Sequence, residues 1–292
     1  MGTMTDDKRR ERRIPIDSIV LPFLGSRAAD YQPFQYLLQD VSSAGVRIAI
    51  PRWAVHREHL HKGDRIHFHI PFRLQNAVLE AGEVMWEKWE AAQGAQIVGA
   101  FLDQTAPPHY PVFLNLASRE LTIDLGGFEG PGSLFSRVLK DSFFLKRGVL
   151  IYLKHLTAYF SRLGQFKKGE YEFFKEALID DVTHHVQKNA ERIEAWCSEC
   201  RGQDPSRDEA LPDMDMEELR EAMAPELYLD LFRSALGLQT AKMYLLAIKE
   251  LEKRLFYNYN TMVMLFIRGL RQSPLNHRLK ALNSSGITNP PT

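Results

Sequence analysis

Short apolar stretches separated by charged and turn-forming residues occupy the first third of the chain, from Ile14 to about Leu102. In the clearest stretch, Asp64 to Ile70, every second residue is apolar. A period of two places the apolar side chains on one face of a strand and the polar ones, here His67 and His69 among them, on the other. We interpret five further stretches as strands: Ile14 to Val20, Phe34 to Leu38, Gly45 to Ile50, Val78 to Trp89 and Gln96 to Leu102. The pattern predicts an antiparallel sheet or barrel of six strands.

Beyond Ser133 the spacing of apolar residues changes to that of an α-helix with one buried stripe. One set recurs at Leu134, Val138, Leu145, Val149, Leu153 and Leu156, and a second at Phe174, Leu178, Val182, Val186, Ile193 and Trp196. Two more helices are predicted from Met214 to about Ala235 and from Leu238 to Leu270, with Gly237 as the break between them. Helices of this kind bury their apolar stripes against one another, so we expect a helical bundle.

Proline and glycine are frequent between the two regions, which places a boundary somewhere from Asp103 to Ser133. The predicted fold class is α+β, with an N-terminal barrel followed by a C-terminal helical bundle. We assign residues 1–110 to the barrel and its basic arm, 111–132 to a linker, 133–272 to the bundle and 273–292 to a mobile tail. Within the linker, Val112 to Leu116 and Leu121 to Leu125 could instead be strands.

Composition excludes several classes of protein. The chain has 37 Lys and Arg against 37 Asp and Glu, so no net field draws it to nucleic acid or to an anionic membrane. Its two cysteines, Cys197 and Cys200, cannot build a disulfide framework and fit a reducing compartment. The N-terminus has no apolar signal segment, and no apolar run approaches the roughly 20 residues that a bilayer requires. We therefore expect a cytoplasmic protein that neither binds nucleic acid nor inserts into a membrane.

Two short polar motifs carry the chemical signal. Arg9-Arg10-Glu11-Arg12-Arg13 precedes the first predicted strand, and Asp40-Val41-Ser42-Ser43-Ala44-Gly45 leads into the strand that ends at Ile50. An arginine fork can bond guanine O6 and N7, stack on a purine or hold a phosphate. A carboxylate can accept from the N1 and N2 hydrogens of guanine, a serine adds a hydroxyl, and a glycine permits close backbone approach. The pair of motifs predicts an anionic ligand that contains guanine.

The two motifs together resemble those of the PilZ domain, a small β-barrel that binds the bacterial messenger cyclic di-GMP. The family pattern is RxxxR ahead of the barrel and D/NxSxxG at a strand entrance, and both are complete here. Gly63-Asp64, Glu83-Val84-Met85-Trp86 and Gly99-Ala100-Phe101 also look like family features. The resemblance covers roughly residues 8 to 105, and the helical remainder resembles no family that we can name.

The resemblance implies a cyclic di-GMP site made from both motifs. Arg9 and Arg13, which fill the RxxxR pattern, would contact guanine and phosphate, and Arg10 and Arg12 are possible substitutes for them. The aspartate and serine of the second motif would hold the other guanine at the barrel surface. The arm would order over the nucleotide and change how the barrel faces the helices. The implied ligand-binding residues are Arg9, Arg10, Arg13, Asp40, Ser42 and Gly45. We predict no catalytic residue, metal or cofactor, and so an effector rather than an enzyme.

Two alternatives to this function remain open. A barrel that has lost the nucleotide could act as an adaptor through protein contacts. His67 and His69 lie two apart on one strand and could bind a metal for an enzyme, with a third ligand from His56, His59 or His61. We interpret the histidine pair instead as the polar face of a strand.

Aromatic residues are dense in the helical region. Their number exceeds what one buried stripe per helix can accommodate, and Phe143-Phe144 or Phe256-Tyr257 could form an exposed patch. We therefore expect a protein partner, or self-association, through the helical part.

Overall fold

The structure is a computed structural model, and it describes residues 14–15, 24–54, 60–75, 77–105, 109–164, 179–201, 214–227 and 239–272. The arginine motif, the expected tail at 273–292, His56 and His59 lie outside these ranges. So do parts of the second and third predicted helices, including Phe174 and Leu178, and the expected break at Gly237.

Ten strands of the described residues form one curled sheet. They are β1 (Ile14–Pro15), β2 (Gly25–Arg27), β3 (Pro33–Phe34), β4 (Leu37–Val41), β5 (Gly45–Pro51), β6 (Arg65–Leu74), β7 (Ala77–Glu90), β8 (Ala95–Thr105), β9 (Val112–Asn115) and β10 (Glu120–Ile123). Their order is β1-β4-β5-β8-β7-β6-β2-β3, every pair antiparallel, while β9 pairs in parallel with β6 and β10 pairs with β9. Strands β9 and β10 lie within the expected linker, as the alternative interpretation of that segment allowed.

Four helices follow in the described residues: α1 (Pro131–Gly164), α2 (Asp181–Arg201), α3 (Met216–Met223) and α4 (Gln239–Gln272). The sheet and these helices confirm the α+β class. The helix predicted from Met214 to about Ala235 is wrong in its extent, because α3 already ends at Met223, with Ala224 as its extended C-cap. Pro225 follows, and a proline disfavours the helical conformation of the residue before it. Within the described residues, no helix has the length and apolar composition needed to cross a bilayer.

The interior of the sheet follows the predicted period of two. The inward residues of β5, β6 and β8 are buried: Val46, Ile48 and Ile50, then Ile66, Phe68 and Ile70, then Val98, Ala100 and Leu102. One hydrophobic cluster joins these residues with others from all four helices, Phe135, Ile193, Leu219 and Met262 among them. The sheet and the helices therefore bury apolar surface against each other and stabilise each other.

Helix α4 covers the outward, polar face of β6. His69 is 1% exposed and its ring stacks on Phe256 at 4.3 Å between centroids, while its Nε2 lies 2.9 Å from Ser26 Oγ. The hydroxyl of Tyr257 lies 2.9 Å from Glu80 Oε2 and 3.2 Å from the carbonyl oxygen of Phe68, and these two acceptors share its single hydrogen. The polar face of β6 thus binds a helix through buried hydrogen bonds.

A second buried polar cluster lies among the helices. The side chain of Lys146 is fully buried and donates to Glu226 Oε1 at 2.6 Å and to the carbonyl of Ala224 at 2.9 Å. Glu252, at 2% exposure, accepts from the backbone N–H of Leu227 at 3.4 Å. Burial, and next the charge of Glu226, raise the pKa of Glu252 to about 8.

We expect Tyr257→Phe to lower the free energy of unfolding by about 1–3 kcal/mol, since the Glu80 carboxylate and a buried carbonyl lose a donor. Urea unfolding followed by circular dichroism measures the change. Tyr244→Phe is the matched control, because that hydroxyl donates to no residue of the described ranges. Equal losses in the two variants would contradict the assignment.

The raised pKa of Glu252 predicts a pH dependence of stability. The folded state favours the neutral carboxyl. The contribution of Glu252 to the free energy of unfolding is therefore fully present below pH 4.5 and is lost as the pH rises through about 8. Glu252→Gln keeps the shape and cannot ionise. We expect the difference in Tm between the variant and the parent protein to shift in favour of the variant as the pH rises from acidic to alkaline values. Parallel calorimetric scans of the two proteins measure it. A constant difference between the two would show that Glu252 is ionised in the folded protein.

Candidate functional site

The second motif forms the turn between β4 and β5, and the structure brings Asp40, Ser42 and Gly45 together there. The backbone N–H of Ser42 donates to the carbonyl of Gly45 at 2.8 Å, and the serine hydroxyl lies 3.3 Å from the same oxygen. A Cβ at Gly45 would stand 3.0 Å from the carbonyl oxygen of Ala100 on β8. Serine therefore closes the turn, and glycine permits the close approach of the neighbouring strand.

Asp40 lies on the outward face of the sheet, on the side opposite the core. The register of β4 against β5 shifts between Leu38 and Asp40, and Leu38 and Val41 on either side are both core residues. Such a bulge re-aims the side chains beyond it. Asp40 Oδ2 consequently lies 2.6 Å from Nε of Arg47, with the aspartate side chain 7% exposed and the arginine side chain 44% exposed. The site contains a largely buried carboxylate paired with a half-exposed guanidinium.

The N-terminal chain joins the sheet beside this aspartate. Pro15 of β1 is the cross-strand partner of Asp40, and Ile14 is the partner of Val41. Arg13 directly precedes Ile14, and consecutive Cα atoms are about 3.8 Å apart. Arg9 is five residues from Ile14, which limits their Cα separation to roughly 18 Å. The arginine motif itself, with Arg9, Arg10 and Arg13, lies outside the described residues, and the sequence shows only that it directly precedes β1.

A row of partner residues continues from Asp40 across the outward face. Asp40 pairs with Arg47, Arg47 with Gly99 on β8, and Gly99 with Trp86 on β7. A Cβ at Gly99 would lie 2.3 Å from the indole of Trp86, so the indole lies over the glycine. Phe101, 47% exposed, follows two residues along β8 and pairs with Gly45.

We call Arg47, Gly99, Trp86 and Phe101 the outer platform. Its exposed indole, phenyl ring and guanidinium can each contact the flat face of an aromatic ligand. The Asp40 carboxylate at its edge can accept hydrogen bonds from amide-like or amino hydrogens. A planar ring that carries amide-like or amino hydrogens fits this combination.

Sequence reasoning missed Arg47 altogether, and it took Trp86, Gly99 and Phe101 only as family features. A signal for Arg47 existed, since it is an outward position in a stretch of period two. Nothing in the sequence showed that Arg47 lies opposite Asp40, because that depends on the register shift in β4.

The other candidate sites have structural explanations. Within the described ranges, no group of three or more potential metal ligands comes together. Burial lowers the pKa of His67 to about 4 and its ring lies beside that of Tyr31, while the ring of His69 packs under α4. Burial also raises the pKa of the Cys200 thiol, which disfavours the reactive thiolate.

Comparison with models of protein families gives no match, and comparison with curated proteins gives none either.

Proposed function

We propose that the protein is a PilZ-like effector that binds cyclic di-GMP, with the N-terminal arm closing over a nucleotide held at the β4–β5 turn. The observation that carries the proposal is the pairing of Pro15 with Asp40. It supports the proposal because Arg13, the last residue of the arginine motif, precedes Ile14 in the chain, although the two motifs are separated by more than twenty residues of sequence.

Each group has a role in this proposal. The carboxylate of Asp40, held beside the guanidinium of Arg47, accepts hydrogen bonds from a guanine edge. Trp86 and Phe101 of the outer platform offer faces for a base to stack on. Arg9, Arg10 and Arg13 neutralise the two phosphates and contact the second base.

Strand β7 offers a route from the nucleotide to the helices. Trp86 belongs to the outer platform, and Glu80, six residues earlier on the same strand, contacts Tyr257 at 2.9 Å and Lys253 at 3.5 Å on α4. Six residues of strand span about 20 Å. We propose that nucleotide binding shifts β7 beneath α4, which alters the arrangement of sheet and helices without separating their shared core.

One observation favours a second candidate, a PilZ-like adaptor that acts through protein contacts and binds no nucleotide. The motif residues already have structural partners, because Asp40 pairs with Arg47 and Ser42 bonds the carbonyl of Gly45. A turn that needs these residues for its own geometry would keep them after the loss of a ligand.

Calorimetric titration with cyclic di-GMP distinguishes the two. We expect micromolar or tighter binding by the parent protein, weakened about tenfold or more in Arg13→Ala and in Asp40→Ala, since a good base contact is worth about 1–3 kcal/mol. Arg137→Ala is the control, because this exposed arginine lies on α1. Cyclic di-AMP, which lacks guanine O6 and N2, should bind at least about tenfold more weakly.

The absence of heat with correctly folded protein would favour the adaptor. Thermal unfolding of Asp40→Ala measures the structural part of its role separately. Binding unaffected by both substitutions would show that the nucleotide occupies another site.

A further inference from the structure

A groove runs between α1 and α2. Leu145 shares a hydrophobic cluster with Ile193 near the end of α2, and Leu156 shares one with Val186 nearer its start, so the two helices run in opposite directions. Between them lies an open groove of about 440 Å³, and its lining includes Leu150 and Ala190. The floor of the groove is therefore apolar.

The two walls of the groove carry opposite charges. Arg147 and Lys154 line it from α1, and Glu191 and Glu194 line it from α2. Within the ranges that the structure describes, none of these four charges forms a salt bridge. Among the described residues, the carboxylate of Glu191 accepts only from the amide of Gln187 beside it, at 2.7 Å. Each wall is thus available to a surface of opposite charge.

Exposed apolar side chains stand next to the basic wall. Phe144 is 66% exposed and Ile151 is 56% exposed, and they lie seven residues apart on one face of α1. Exposed apolar surface that polar residues surround is a feature of protein–protein contact sites, which makes this face a candidate for one.

We propose that the α1–α2 face binds the same face of a second copy of this chain, with the two-fold axis parallel to the helices and midway between them. This axis places α1 of one copy over α2 of the other. Arg147 then faces the acidic wall of its partner copy, and the same contact recurs once by symmetry. The exposed apolar residues of each α1 close over the groove of the other copy.

A second copy of the chain fits this face better than another occupant because the face carries both a basic and an acidic wall and is therefore complementary to itself. A two-fold contact requires a self-complementary surface, and a face with one basic and one acidic wall fulfils this only in the stated orientation. The axis perpendicular to the helices would instead oppose Arg147 and Lys154 to the same residues of the other copy. The proposal is independent of nucleotide binding, because the outer platform lies on the sheet.

The test is the mass of the full chain in solution, by light scattering and sedimentation at micromolar concentrations. We expect a dimer that weakens when ionic strength rises from about 0.05 to about 0.5 M. Arg147→Glu places like charges at two symmetric positions and should weaken dimerisation at least about tenfold. The reciprocal variant with Arg147→Glu and Glu191→Arg restores the opposite charges and should restore the dimer.

The controls separate this face from others. Lys242→Glu reverses an exposed charge on α4 and should leave the dimer intact. Ile151→Ser removes apolar contact without changing charge and should also weaken it. A parent protein that is monomeric in solution would overturn the proposal. This holds even if its own residues 273–292 occupy the groove. A dimer that withstands Arg147→Glu, or one that the reciprocal variant does not recover, would also overturn it.

Discussion

The register of the strands is the constraint on which the rest of the structure depends. Hydrogen bonding between β1, β4, β5, β8 and β7 aligns Pro15, Asp40, Arg47, Gly99 and Trp86 in one row. A slip of one residue would turn the outward side chains of a strand into the core. The buried faces of β5 and β8 forbid that slip, because Ile48 and Val98 would have to leave the interior. The same apolar burial that folds the sheet therefore assembles the candidate site.

The outward face of the sheet has two different environments. Around β6 it is covered by α4, with Lys249 donating to the carbonyls of Ala28 and Ala29 at 2.9 and 2.8 Å. Around β5 and β8 it retains exposed rings and a half-exposed guanidinium. Strand β7 takes part in both environments, since it carries Trp86 of the outer platform and also Glu80, which contacts Tyr257 on α4.

The charges of the helical region also fall into two groups. Lys146 and Glu252 are buried. Contacts with Glu226 and a backbone carbonyl offset the cost of desolvating Lys146, and the raised pKa of Glu252 avoids the cost of a buried negative charge. Arg147, next to Lys146 in sequence, lies at the surface of the groove. Adjacent residues point to different sides of a helix, so one turn of α1 contributes both to the interior and to the proposed contact surface.

The sequence determined the α+β class, the period of two in β6 and the long helices α1 and α4, since these depend on local spacing of apolar residues. It also identified the second motif, although the arginines of the first remain a prediction. Only the tertiary structure decided that Arg47 faces Asp40, that β9 pairs with β6, and that His69 lies beneath Phe256. The physical reason is that register, bulges and helix docking arise from contacts between residues distant in sequence, and such contacts leave no local periodic pattern.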